Sequence, residues 1–380
     1  MSLLSVLSAA RPVRATTDSS EGMAMPTMTD LSRPVTVGVD THADVHVAAV
    51  LDEAGRILEV TSIDATVAGY RRLVRWAQRY GTIARFGIEG TGSYGAGLAR
   101  FLMDQGYEVQ EVLRPDRSTR RRNGKSDPVD AEAAARAVLA GTASGPAKAG
   151  NGTVEMIRVL RVARRSALKA RTQAANQIAH LVVTAPEALR AEMGALKTPQ
   201  RVERAAQFRP GDLDDPIAAT KVALRCLARR HRELTGEIAE LDDQLGRLTR
   251  ECAPTLLALV GVGTDVAGAL LVAAGDNPQR LHSEAGFAAL CGVSPVDASS
   301  GKQRRHRLNR GGNRQANNAL WRIALVRLSH HAETQEYAAR RTAEGKTTRE
   351  IMRCLKRYIA REVHTALQRD LVRPAQPLAA

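Results

Sequence analysis

Between 35 and 51 the chain alternates. Val35, Val37 and Val39 are separated by Thr36 and Gly38, Asp40 ends the run, and a second apolar run covers 45–51 after a short turn. A period of two is that of a strand, so this stretch predicts a hairpin with a carboxylate at the tip of its first strand. Gly55 precedes a third short run at 56–61. From 65 to 80 the apolar spacing changes to threes and fours at Val67, Tyr70, Leu73, Val74 and Ala77, and Gly81 closes the helix that this predicts. A strand at 84–88 ends on Glu89, the loop GTGSYG follows, and a helix at 96–105 leads to a strand at 107–113. The expected order is β-β-β-α-β-α-β, with carboxylates at two strand ends.

Periodicity then lapses. The segment 114–125 carries Arg120, Arg121, Arg122, Lys125 and further arginines among Ser, Asn and Gly, which reads as a loop with a strong positive field. Asp127-Pro-Val-Asp130 opens an Ala-rich helix, and the Gly, Ala and Ser of 141–152 read as a linker. Two long helical patterns follow at 154–183 and 217–250, separated by a Pro-broken stretch at 185–216. The second approximates heptads, which predicts antiparallel or intersubunit coiled-coil pairing. At 254–276 a helix, a glycine hairpin at Gly261-Val262-Gly263 and a second helix are expected. A short helix, a Ser299-Ser300-Gly301 loop and a basic strip (Lys302, Arg304, Arg305, Arg307, Arg310, Arg314) come next, and helices from about 313, at 333–344 and at 348–371 finish the chain.

Composition narrows the partners. The 380 residues are 44% hydrophobic but only 3% aromatic, so the cores must be built from Ala, Val and Leu. A net charge of +15 makes nucleic acid the leading partner. Cys226, Cys252, Cys291 and Cys354 include no C-x-x-C pair, which disfavours a zinc ribbon or disulfide scaffold and fits a reducing cytoplasm. No apolar run reaches the length of a membrane span, so no membrane is expected as a partner. Residues 1–32 are expected to form a disordered extension and 373–380 a tail.

The carboxylates have local explanations when taken singly. Asp127 suits a helix N-cap with Pro128 at the first helical position, Asp130 suits the first turn, and Asp40 and Glu89 suit loops. Taken together they suggest more. In a ribonuclease-H-like arrangement the first and fourth strands are neighbours, so Asp40 and Glu89 meet, and Asp127 and Asp130 at i and i+3 share a helix face. Two like charges at 4 Å cost on the order of 1 kcal/mol even in water. Mg²⁺, which takes oxygen ligands, would remove that repulsion and could serve phosphoryl transfer. A competing set of Asp40, His42, Asp44 and His46 would lie on one strand face as a zinc site, if the strand continued through it. The Gly261–Gly263 hairpin fits a helix-hairpin-helix, whose amides hold phosphate, or a plain tight turn. Ser299-Ser300-Gly301 is a flexible turn by composition, and a nucleophile only if its hydroxyl is activated beside a held phosphate.

These residues carry a resemblance. VGVDTHADVHVAAV, GIEGTGSYGAGLARFL and KSDPVDA resemble the N-terminal domain of DEDD transposases of the insertion-sequence one-ten family, the bridge-RNA-guided recombinases. LVGVGTDVAGALLVAAGD and GFAALCGVSPVDASSGKQRRHRLNRGGNRQANNALWRIAL resemble that family's C-terminal domain. The resemblance implies a RuvC-like domain at 33–145, a helical coiled-coil region at 153–250 and a serine transposase domain at 251–372. It implies Asp40, Glu89, Asp127 and Asp130 as the Mg²⁺-binding set, with Ser300 as the nucleophile that links covalently to DNA. The doubled serine leaves Ser299 open for that part. It also implies donor and target DNA, a structured noncoding guide RNA, and a dimer or tetramer acting at the nucleoid. Two rivals remain. One is a hydrolytic junction-resolving nuclease that needs no serine, and the other is a non-catalytic nucleic-acid-binding protein.

Overall fold

A computed structural model describes residues 32–112, 126–143, 145–300 and 306–372. The extension at 1–31, Arg120, Arg121, Arg122, Lys125, Lys302, Arg304, Arg305 and the tail lie outside the described residues.

Strands β1 (Pro34–Thr41), β2 (Val45–Leu51), β3 (Ile57–Asp64), β4 (Thr82–Glu89) and β5 (Val109–Val112) form one sheet in the order β3-β2-β1-β4-β5. The β1–β2 and β2–β3 pairs are antiparallel, while β1–β4 and β4–β5 are parallel. The expected adjacency of the first and fourth strands is present. Helices α1 (Val67–Ala77) and α2 (Ala96–Asp104) cover one face, where Val35, Val37, Val39, Phe86 and Ile88 pack with Leu73, Leu98 and Leu102. Helix α3 (Asp127–Leu139) covers the other, where Ala131 and Ala135 pack on Val47, Ala49 and Leu51. Both faces of β1 are therefore buried, so Thr36 and Gly38 turn toward α3 and not toward water.

The stretch read as a linker is packed. The Glu111 amide donates to Gly145 O, the Ala147 amide donates to Val109 O, and Ala147 is buried in the sheet's core. From this edge Arg280 meets Glu111, Lys148 Nζ donates to Val272 O and Asn277 Nδ2 donates to Ala147 O, so the segment ties the sheet to the C-terminal region.

Helices α4 (Thr153–Thr184) and α7 (Pro216–Cys252) lie side by side within one chain. Val154 and Ile157 of α4 share a core with Leu245 and Leu248 of α7, while Ile178 and Val182 share one with Leu224 and Ala228, so the pair runs antiparallel. The Pro-broken stretch forms α5 (Glu187–Met193) and α6 (Thr198–Ala206), which close the far end through Leu189, Met193 and Val202.

The C-terminal core gathers α8 (Pro254–Leu257), α9 (Thr264–Ala274), α10 (Glu284–Leu290), α11 (Arg314–His330), α12 (Ala332–Ala343) and α13 (Thr348–Val372) around the near end of α4 and α7. The first helix of the expected 254–276 hairpin is a single turn. Buried Asp370 of α13 caps it by accepting from the amides of Thr255 and Leu256 at 3.0 and 2.9 Å. A two-stranded ribbon, β6 (Val296–Asp297) with β7 (His306–Arg307), projects beside α10 and α11.

Candidate metal centre and serine loop

Two glycines position the carboxylates. In the parallel β1–β4 pair Gly38 lies opposite Gly87, and Val39 lies opposite Ile88. A Cβ on Gly38 would fall 2.1 Å from Ala131 O, and one on Gly87 would fall 2.8 Å from Ala134 O, so only glycine lets α3 sit this close. Residues two apart share a strand face. Asp40 and Glu89 therefore face α3. On the helix, Asp127 stands one turn before Ala131 and Asp130 one turn before Ala134. A helical turn rises about 5.4 Å and two strand residues about 6.7 Å. The same step thus carries Asp127 over Asp40 and Asp130 toward Glu89.

All four sequence-predicted carboxylates lie on this one side of the sheet. Asp40 and Glu89 are 4% exposed and Asp130 is 8%, while Asp127 sits half-exposed at the rim. Asp127 is the first residue of α3 and Ser126 occupies the cap position, so Asp127 is not the cap that its sequence context suggests. Its carboxylate is directed to the strand tips, where His42 Nε2 lies 3.4 Å from its Oδ1 and 3.1 Å from Asp40 Oδ2. Thr41 Oγ1 donates to Glu89 O at 2.8 Å and fixes the strand end before the GTGSYG loop.

Among the described residues, Asp40, His42 and Asp127 offer ligand atoms that all lie within 4.8 Å of one another. The other half of the His/Asp alternative disperses. β1 ends at Thr41 and the turn breaks the two-residue period, leaving Asp44 exposed. His46 resumes on the opposite face, fully buried and stacked on Tyr70 at 5.9 Å, where burial holds its imidazole below the ordinary value. Glu89 and Asp130 face the same side but stand outside this close group. A buried carboxylate beside a second one is costly without a cation, so the Asp40–His42–Asp127 corner fits a divalent metal.

Ser299 and Ser300 follow β6, and both are exposed. The Ser299 hydroxyl and amide both donate to Asp297 Oδ1, at 2.5 and 2.9 Å, and this holds the Asp297 carboxyl below its usual value. Arg307, at the end of β7, and Arg310, three residues past it, are exposed. A cavity of about 640 Å³ opens beside the ribbon, lined by Arg307 together with Lys346, Arg353, Lys356 and Arg357. The last three come from α13, and nothing in the sequence signals that they meet Arg307 across this cavity. Gly261 adopts φ 86°, and a Cβ on it would fall 3.2 Å from Ile323 O of α11, whereas a Cβ on Gly263 would meet nothing within 4 Å.

Part of the basic face of α4 is committed within the protein. Arg158 pairs with Glu155, Arg161 with Asp265 at 2.7 Å, and Arg164 with Asp242. The first lies within α4, and the other two pin α4 to α9 and α7. Arg165, Arg314 and Arg322 border the groove that remains.

A five-stranded mixed sheet with acidic strand tips and a facing acidic helix is compatible with the ribonuclease-H-like class that acts on nucleic acid phosphates. Residues 37–185 match a transposase family model of the DEDD type, IS110 group, and residues 253–339 match the model described as Transposase IS116/IS110/IS902 family. The chain belongs to this transposase family. A protein of Streptomyces coelicolor described as an insertion element IS110 uncharacterized 43.6 kDa protein is 29% identical over 162 residues, which is 42% of this chain and 38% of that relative.

Proposed function

We propose that this protein is a recombinase that moves its own insertion element by phosphoryl transfer on DNA. The convergence of Asp40, Glu89, Asp127 and Asp130 on one side of the sheet, set by the Gly38 and Gly87 contacts with α3, supports this reading above all. These four side chains would hold a divalent cation, Mg²⁺ on the family resemblance. Such a cation, when bound, offsets charge on a phosphate oxygen and lowers the pKa of an attacking oxygen.

The serine loop supplies the second half. The Ser300 hydroxyl attacks a DNA phosphorus, a serine–phosphate ester forms, and a deoxyribose hydroxyl leaves with the proton. Ser299 is engaged with Asp297 in the turn, which favours Ser300 as the attacking group. Arg307 and Arg310, both exposed, would hold the flanking phosphates, and the Gly261–Gly263 turn would present amides to the backbone as a helix-hairpin-helix does. Guide RNA and a dimer or tetramer that joins the two halves across subunits complete the reading.

Trapping of the protein–DNA adduct tests it. Ser300→Ala should abolish a denaturant-stable adduct while Ser299→Ala keeps it. An adduct that survives Ser300→Ala would overturn the assignment. Full cleavage to free ends with no adduct in any variant would instead favour the hydrolytic junction-resolving reading.

A further inference from the structure

His42 has no place in the four-carboxylate set, yet it is the side chain that meets two of them. Its Nε2 lies 3.1 Å from Asp40 Oδ2 and 3.4 Å from Asp127 Oδ1. That atom is shielded from water and is aligned for a hydrogen bond to no neighbour, although the ring as a whole is 40% exposed. A shielded imidazole nitrogen set between two carboxylates, without an aligned hydrogen bond to either, is a donor arrangement that fits a cation. His42 follows directly on the last residue of β1, so the strand that buries Asp40 also fixes where the imidazole emerges.

We infer that His42 is a ligand of the divalent cation held by Asp40 and Asp127, and that it tilts the site toward Mn²⁺ over Mg²⁺. The inference rests on the metal reading of the carboxylates given above. Mg²⁺ is hard, prefers oxygen and keeps its waters, so an imidazole adds little to its binding. Mn²⁺ also favours oxygen, but as the first member of the transition-metal affinity order it gains more from an added nitrogen donor than Mg²⁺ does. An all-carboxylate centre would lack this bias. The Asp40–His42–Asp127 corner makes the centre a mixed nitrogen and oxygen site, with Glu89 and Asp130 remaining on the oxygen side.

Pulsed EPR on the full-length protein loaded with Mn²⁺ reads the ligand directly. The expected result is a nitrogen modulation that changes on ¹⁵N-histidine labelling and disappears in His42→Ala. In parallel, calorimetric titration with each metal alone should show His42→Ala losing about tenfold or more in Mn²⁺ affinity while Mg²⁺ affinity moves less than about threefold. Far-UV circular dichroism confirms that the variant is folded, which is expected because the ring lies in a turn. Mn²⁺ bound without nitrogen modulation in the wild type, or an unchanged metal preference in His42→Ala, would overturn the role of His42 and leave the carboxylate site standing. An Asp40→Asn variant that binds Mn²⁺ as tightly as the wild type would instead overturn the metal reading itself.

Discussion

Gly38→Ala perturbs the contact on which the site's geometry depends. The new methyl group would lie 2.1 Å from Ala131 O, 2.3 Å from Ala135 N and 2.8 Å from Ala135 Cβ. None of these atoms ends a side chain that could swing aside, so α3 as a whole must retreat. Restoring ordinary carbon–oxygen contact requires a shift of more than about 1 Å. Inserting one carbon into a packed interior commonly costs 1–3 kcal/mol, and a clash with helix backbone places this change at about 3 kcal/mol or above. The same retreat lifts Asp127 from Asp40, so divalent cation affinity should fall by about tenfold or more, since ligands must be held to within about 0.5 Å. Denaturant unfolding and Mn²⁺ titration measure the two effects. Gly92→Ala is the control, because a Cβ there meets nothing within 4 Å. If Gly38→Ala unfolds within about 0.5 kcal/mol of wild type and binds metal normally, α3 does not rest on Gly38 and the register argument fails.

Three further outcomes concern the C-terminal region. Gly261→Ala should destabilise by about 1–2 kcal/mol, because φ is 86° and the added carbon meets Ile323. Gly263→Ala should cost under about 1 kcal/mol, so a loss of DNA binding there, read by fluorescence anisotropy at several salt concentrations, would mark a phosphate contact. Burial alone would raise the Asp265 carboxyl, but Arg322 and Arg161 outweigh it and hold the group below its ordinary value. A carboxyl with a depressed folded pKa contributes stability that is present above its unfolded pKa and lost as pH falls through the folded one. The stability difference between wild type and Asp265→Asn should thus be full at neutral pH and shrink below about pH 4, as chemical denaturation at each pH will show.

The parts of the site that follow from local period were legible in the sequence. Alternation to Asp40 and a strand ending on Glu89 placed both carboxylates, and i, i+3 spacing placed Asp127 and Asp130 on one helix face. The seat of α3 was not legible, because it depends on Gly38 and Gly87 becoming neighbours across a parallel pair that only the folded sheet creates. His42 shows why period can mislead. Strict alternation would group it with Asp44 and His46, but the strand stops at Thr41, so His42 turns toward Asp127 while His46 packs on Tyr70. The segment 141–152 has linker composition, yet alanine is small enough to enter a core, and Ala147 does. The acidic partners of Arg161 and Arg164 on α4, Asp265 and Asp242, arrive from α9 and α7 and could not be paired from sequence.

The central claim is that four carboxylates act as one centre on DNA. Excision of a marked copy of the element from a plasmid, scored in cells for Glu89→Gln, tests it most directly. Glu89 is buried at its strand tip and the substitution keeps its shape while removing its charge. The account predicts excision lowered by about a hundredfold or more, with the protein folded and expressed. Excision near the wild-type level would contradict it.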